Sequence, residues 1–253
     1  MAKLIDINVD IGEGFPYDDD LLDIATSANI GCGIHAGSKE LTLATIEKCH
    51  AKGVRIGVHP GYPDRDSMGR KGLESGQETA YLDSIQAQIS QFCSRTKAAY
   101  LKPHGGFYND LAVPLTIGWD SMLKHPGSKS PYEAGGQEIS KAAGAGLLVI
   151  LLRVHKLMLM GLPSTYLEEI GRRSGFGFIK EGFADRRYTA QGLLAPRSES
   201  GSVLKSSVDI KEQVLKLSET CDSLCVHGDT ENAVAIAALV RQTVEQAGFE
   251  VKA

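Results

Sequence analysis

Residues 4–10 read Leu-Ile-Asp-Ile-Asn-Val-Asp, with Ile5, Ile7 and Val9 in one alternating phase and Asp6, Asn8 and Asp10 in the other. Successive side chains of a strand point to opposite faces, so the segment predicts a strand with one apolar and one polar face. The pattern recurs. NIGCGIH at 29–35 sets Ile30, Cys32 and Ile34 against Asn29, Gly31, Gly33 and His35, and VRIGVH at 54–59 sets Val54, Ile56 and Val58 against Arg55, Gly57 and His59. In AYLKPH at 99–104, Lys102 and His104 oppose Leu101 and Pro103; from the segment at 223–227 onward, His227 and Asp229 oppose Leu224 and Val226. Two further candidates, Leu147–Leu152 and Phe176–Glu181, bring the strands to about seven.

Helix-like segments fall between these strands, and that order predicts parallel strands joined by helical crossovers. With 253 residues and no linker-like stretch, the whole chain, 1–253, reads as one domain. The expected fold is α/β, a closed or nearly closed barrel of seven strands; an open doubly wound sheet is the alternative. Helical spacing predicts a helix over Ile210–Thr220 capped by Asp209, and another over Glu231–Ala247 stopping at Gly248. Pro114, Pro126, Gly127, Pro131 and the Gly135-Gly136 pair mark about 110–146 as a partly irregular insertion.

Composition narrows the function. A hydrophobic fraction of 42% and a formal net charge of −4, without any basic block, fit a folded protein that does not bind nucleic acid. The first residues lack a signal-peptide core, and the longest aliphatic run, Leu147–Leu152, is too short to span a bilayer, so a cytoplasmic location is expected. Five cysteines without a CxxC pair fit free thiols.

If the apolar phases face the helices, the polar phases face the barrel interior and end on Asp10, His35, His59, His104 and His227. Barrel active sites sit at the carboxyl ends of the strands, so these residues are expected around one mouth, with Gly31, Gly33 and Gly57 leaving room for a ligand. A lone histidine at a strand end is more often a hydrogen-bonded surface residue than a catalyst. Four of the seven histidines at equivalent ends give the pattern its weight. His50 and His125 carry no such signal, and His155 is ambiguous. No GxxxxGK[ST] loop or GxSxG elbow is present, Gly12-Glu13-Gly14 lacks the third glycine of a dinucleotide fingerprint, and Cys32 falls in an apolar phase.

DINVDIGEG at 6–14, NIGCGIHAG at 29–37, GVHPGYPDR at 57–65, LKPHGGFYN at 101–109, GFADRRY at 182–188, APRSESG at 195–201 and CVHGD at 225–229 occur in that order. Together they resemble the lactam-utilization family, which includes the A subunits of ATP-dependent 5-oxoprolinases. The resemblance implies a distorted seven-stranded, TIM-barrel-like β/α barrel related to glycoside hydrolase and deacetylase barrels. It implies ATP-coupled hydrolytic opening of a small lactam, 5-oxoproline to glutamate or a similar reaction, as one subunit of a multi-subunit enzyme. Asp10, Glu13, His35, His59, His104 and His227 would then be catalytic, and Asn8, Lys102, Asp185, Arg186, Arg197 and Asp229 would hold substrate. ATP with magnesium would be bound mainly by partner subunits, and a homo-oligomer is also compatible. Two departures stand out: Ser38 replaces the Asp usual after HAG, and RVHKLMLMG at 153–161 replaces an Ala-Gly-Ser segment expected after the fifth strand.

Two other readings stay open. One is metal-dependent amide hydrolysis, with the metal held by Asp10 and two of His35, His59 and His104. The other is a non-catalytic substrate-binding subunit.

Overall fold

A computed structural model describes residues 2–74, 76–114 and 137–253, except the side chains of 137–142. Seven parallel strands close into a barrel: β1 (Leu4–Ile11), β2 (Ser27–Gly31), β3 (Arg55–His59), β4 (Tyr100–Leu101), β5 (Met158–Gly161), β6 (Phe178–Phe183) and β7 (Ser223–His227). They pair in chain order, and β7 returns to β1, with Asp10 level with His227. A short β8 (Glu250–Val251) adds to the start of β1 from outside the ring. The helices are α1 (Asp18–Leu22), α2 (Lys39–Lys52), α3 (Glu78–Cys93), α4 (Gly105–Leu111), α5 (Gln137–His155), α6 (Tyr166–Ser174), α7 (Ser207–Ser218) and α8 (Ala233–Gln246). Among the described residues no helix is long and apolar enough to cross a membrane.

Within the strands the apolar phases pack outward, as the sequence predicts, whereas Ile34, expected in the same phase as Ile30, lies beyond the end of β2 and is exposed. Ile5, Ile7, Val9, Ala28, Ile30, Val58, Leu101, Leu224 and Val226 are buried in one core with helix residues such as Ile46, Ile85, Leu148, Val214 and Val240. The polar phases fill the barrel axis, where every buried donor and acceptor needs a partner. At the amino end, Asp6 accepts from Thr26 Oγ1 (2.6 Å), Ser27 Oγ (2.7 Å) and Arg55 Nη2 (2.9 Å). Above it, Tyr100 donates to Asn29 Oδ1 (2.7 Å), and Asn29 Nδ2 lies 2.6 Å from Asn8 Oδ1 and 2.7 Å from Asp10 Oδ1. A hydrogen-bonded column therefore leads from the closed end of the barrel to the carboxyl ends of its strands.

Several boundaries differ from the sequence reading. Leu147–Leu152 is not a strand but the second half of α5, whose helix also covers 137–146 of the expected irregular stretch. An aliphatic run alone does not separate a buried helix from a buried strand. The fifth strand comes after it, inside the RVHKLMLMG segment, and His155 lies in the last turn of α5. Of the expected insertion, residues 110–111 close α4, and 115–136, including His125, lie outside the described residues. Ser206, rather than Asp209, caps α7, and α8 begins at Ala233.

The glycines serve packing rather than ligand space. A Cβ on Gly57 would lie 2.2 Å from Cε2 of the Tyr100 ring, and one on Gly31 would lie 3.3 Å from the Gly12 carbonyl oxygen. Gly57→Ala is therefore expected to cost about 1–3 kcal/mol by overpacking, read as a lower urea midpoint. An unchanged midpoint would show that Tyr100 yields freely.

Candidate active site

The carboxyl ends of the strands open into a cavity of about 660 Å³, lined among others by Asp10, His59, Lys102, His104, Tyr108, Arg186, Arg197 and His227. His35 and Glu13 stand directly behind this floor. His35 follows the end of β2 by four residues, yet it is buried and stacks on His104 with ring centroids 4.0 Å apart. Gly37 permits this approach. It has a φ of +64°, and a Cβ there would come within 2.2 Å of the Gly12 carbonyl oxygen, so the loops after β1 and β2 close together only with glycine. Ser38 then caps α2 by accepting from the Leu41 amide at 3.1 Å, a task Ser performs as well as Asp.

Lys102 is the electrostatic centre of the floor. Its Nζ lies 2.8 Å from Asp10 Oδ1 and 2.7 Å from Glu181 Oε1, and it donates to Cys225 Sγ at 3.0 Å. Burial opposes a charge on Lys102, but the two carboxylates prevail and hold its pKa well above the usual lysine range. Burial likewise opposes ionisation of Asp10, yet Lys102, His59 and His227 keep its carboxyl well below the ordinary value. At Glu181 burial prevails over Lys102 and the pKa rises. Burial holds the Tyr108 phenol far above its usual range, so it donates to Glu181 Oε2 at 3.1 Å.

Two histidines have their tautomers set by backbone carbonyls, which only accept. His59 Nδ1 donates to the Lys102 carbonyl (2.8 Å) and His104 Nε2 to the Met68 carbonyl (2.8 Å). Burial pushes His59 down to about 3 and His104 well below the usual histidine range. A third histidine is set by a carboxylate: His227 Nδ1 lies 2.9 Å from Asp185 Oδ1, which leaves Nε2 facing the cavity 3.9 Å from Asp10 Oδ2. Burial disfavours the charge on Asp185, but His227 and Arg197 outweigh it and the pKa falls.

The sequence-predicted residues thus divide in two. Asp10, His59, His104, His227, Lys102, Arg186 and Arg197 reach the cavity, whereas Asn8, His35 and Asp185 support it from behind, Glu13 meets the floor histidines His59 and His104 from below, and Asp229 stands at the rim. Asp185 is committed to His227. Arg186 is largely spent on the carbonyls of Ala195 (2.6 Å) and Ser202 (3.3 Å), fixing the loop that carries Arg197. Asp229 pairs with Arg70 and Arg197 at the rim. Glu181 and Tyr108 are absent from the sequence-predicted set, although both meet the Lys102 centre.

A closed β/α barrel with acids, bases and the buried Lys102 ammonium at the carboxyl ends of its strands has the architecture of a barrel-mouth site. The particular family follows from comparison: residues 5–118 and 138–253 match the LamB/YcsF family model, and the chain belongs to that family. It is 34% identical, over 99% of its length and 100% of theirs, to the 5-oxoprolinase A subunits of Neisseria meningitidis serogroup C (strain 053442) and serogroup B (strain ATCC BAA-335 / MC58). A crystal structure of a lactam utilization protein from Thermus thermophilus is similar with a TM-score of 0.73 and 28% identity, covering 98% of this chain and 99% of that one. A structure of the pneumococcal virulence factor StrH is similar at a TM-score of 0.56 and 10% identity, over 99% of this chain and 85% of that one, and shares the fold alone.

Proposed function

We propose that this chain opens the ring of a small lactam, 5-oxoproline in the first instance, as the A subunit of an ATP-dependent, multi-subunit hydrolase. The Asp185–His227 pair carries the reading: it presents an oriented Nε2 to the cavity beside Asp10, as water activation and proton return require. The names of the relatives supply the substrate class.

An unstrained lactam resists water, and transfer of the ATP γ-phosphoryl group to the amide oxygen makes its carbon electrophilic. Water adds to that carbon. Expelling phosphate at this stage merely regenerates the lactam, whereas protonating the ring nitrogen breaks the C–N bond and gives an acyl phosphate, which a second water converts to glutamate and phosphate. The site's task is therefore to take a proton from water and deliver one to nitrogen. His227 suits both, with Asp185 holding its tautomer. Arg197, partly paired with Asp229, and the neighbouring Lys71 supply cations at the rim for the substrate carboxylate or phosphoryl group.

Few cations of this cavity are left for a magnesium nucleotide: Lys102 is neutralised by two carboxylates, Arg186 is committed to backbone carbonyls, and Arg70 and Arg197 share Asp229, so that Lys71 and part of the Arg70–Arg197 charge remain for one small anionic group. Activation is accordingly assigned to partner chains. The purified chain, given ATP, magnesium and 5-oxoproline, is expected to release neither ADP nor glutamate at an appreciable rate, and to gain both only with its partners. Robust glutamate formation by the chain alone would overturn the division.

A further inference from the structure

We propose that Glu13, His59 and His104 form a binding site for one divalent transition-metal cation, zinc or an ion of similar preference, in the cavity floor. The case begins with lone pairs. Because His59 Nδ1 and His104 Nε2 donate to backbone carbonyls, His59 Nε2 and His104 Nδ1 of the neutral rings carry lone pairs, and these two atoms face each other 3.0 Å apart. A carboxylate oxygen joins them: Glu13 Oε1 is 3.4 Å from His104 Nδ1 and 3.8 Å from His59 Nε2. Three acceptors this close together repel each other unless a cation lies among them.

The dimensions suit a metal. A triangle with these three sides has an equidistant point about 2.0 Å from each corner, the length of zinc bonds to histidine nitrogen and carboxylate oxygen. The surroundings suit it too, since metal-binding histidines ordinarily give their other N–H to a carbonyl or carboxylate, as both rings do here. His35 Nε2, 3.1 Å from Glu13 Oε1, steadies the carboxylate from behind. Asp10 Oδ2 lies 3.6 Å from His59 Nε2, near enough to approach as a further ligand, and the cavity side is open to a small molecule.

This ligand set differs from the one expected from strand phases. Glu13 replaces His35, which stands behind it, and Asp10 is at the margin. A bound cation would polarise a carbonyl or phosphoryl oxygen, which deepens the lactam reading, but the site stands on its own geometry. A proton shared between His59 and His104 is the competing way to relieve the repulsion.

The test reads metal rather than turnover. Untagged full-length chain, purified without chelator, is analysed for metal by mass spectrometry. It is then stripped, titrated with zinc by calorimetry, and loaded with cobalt to read ligand-field absorption. Expected are near-stoichiometric binding, a cobalt spectrum of nitrogen and oxygen ligation, and loss of both in His104→Ala. Glu13→Gln, close in volume and so safe for folding, should bind at least about 10-fold more weakly, and His35→Asn about 10- to 100-fold more weakly through its hold on Glu13. Zinc, cobalt and manganese all failing to bind the stripped protein, or binding unaffected by both Glu13→Gln and His104→Ala, would overturn the site. Failure of lactam turnover would leave it untouched.

Discussion

Lys102→Met is expected to destabilise the protein by about 3–5 kcal/mol, the cost of removing one partner from a buried ion cluster. The side chain is almost wholly buried, and its ammonium is the cation within bonding distance of both Asp10 and Glu181. Methionine fills a similar volume, so packing changes little and the loss reports the charge. What remains is two carboxylates facing each other in the barrel, with Asn29 and Tyr108 as their neutral donors. Adding Glu181→Gln removes one of the stranded charges and should recover part of the loss. Urea denaturation of the two variants and the parent measures this. A Lys102→Met midpoint within error of the parent would mean that the cluster is already neutral and that Lys102 is not its centre.

His227→Ala is expected to lower glutamate formation by the assembled enzyme about 10²- to 10⁴-fold, the range for a positioned general acid or base. The alanine loses the one imidazole, among the described residues, whose free nitrogen faces the cavity with a carboxylate behind it. Asp185→Asn should lower it as well, because an amide can donate to Nδ1 and favour the wrong tautomer. Asp185 does not reach the cavity, so a substrate-binding role would raise KM, whereas an orienting role lowers kcat. Turnover within about 10-fold of the parent in His227→Ala would remove His227 from the chemistry.

Much of this arrangement is legible in the sequence because the fold writes it with period two. The inward phases of β1, β3 and β7 place Asp10, His59 and His227 correctly from alternation alone. His35 reaches the same floor by another route, since β2 ends at Gly31 and a glycine-bearing loop completes the approach. Glu181 escapes notice because Lys180 precedes it: adjacent charges cannot both face inward, and the remaining inward residues of β6, Ile179 and Phe183, are apolar. Tyr108 sits on the short α4 rather than on a strand, where no alternation applies. The Asp185–His227 pairing is equally hidden, because a hydrogen bond from the end of β7 to the loop after β6 leaves no trace in local pattern. The fifth strand is misplaced for a different reason, namely that Leu147–Leu152 is uniformly aliphatic and has neither period.

The most direct test of ring opening at this barrel mouth is the ratio of ADP to glutamate formed by the reconstituted enzyme with 5-oxoproline. With the parent chain the two should appear together. With His227→Ala, partner subunits should still phosphorylate the lactam, while the activated molecule loses phosphate to water and returns to 5-oxoproline, so ADP should continue to form as glutamate falls away. ADP and glutamate falling in parallel, with their ratio unchanged, would contradict a division between activation elsewhere and ring opening here.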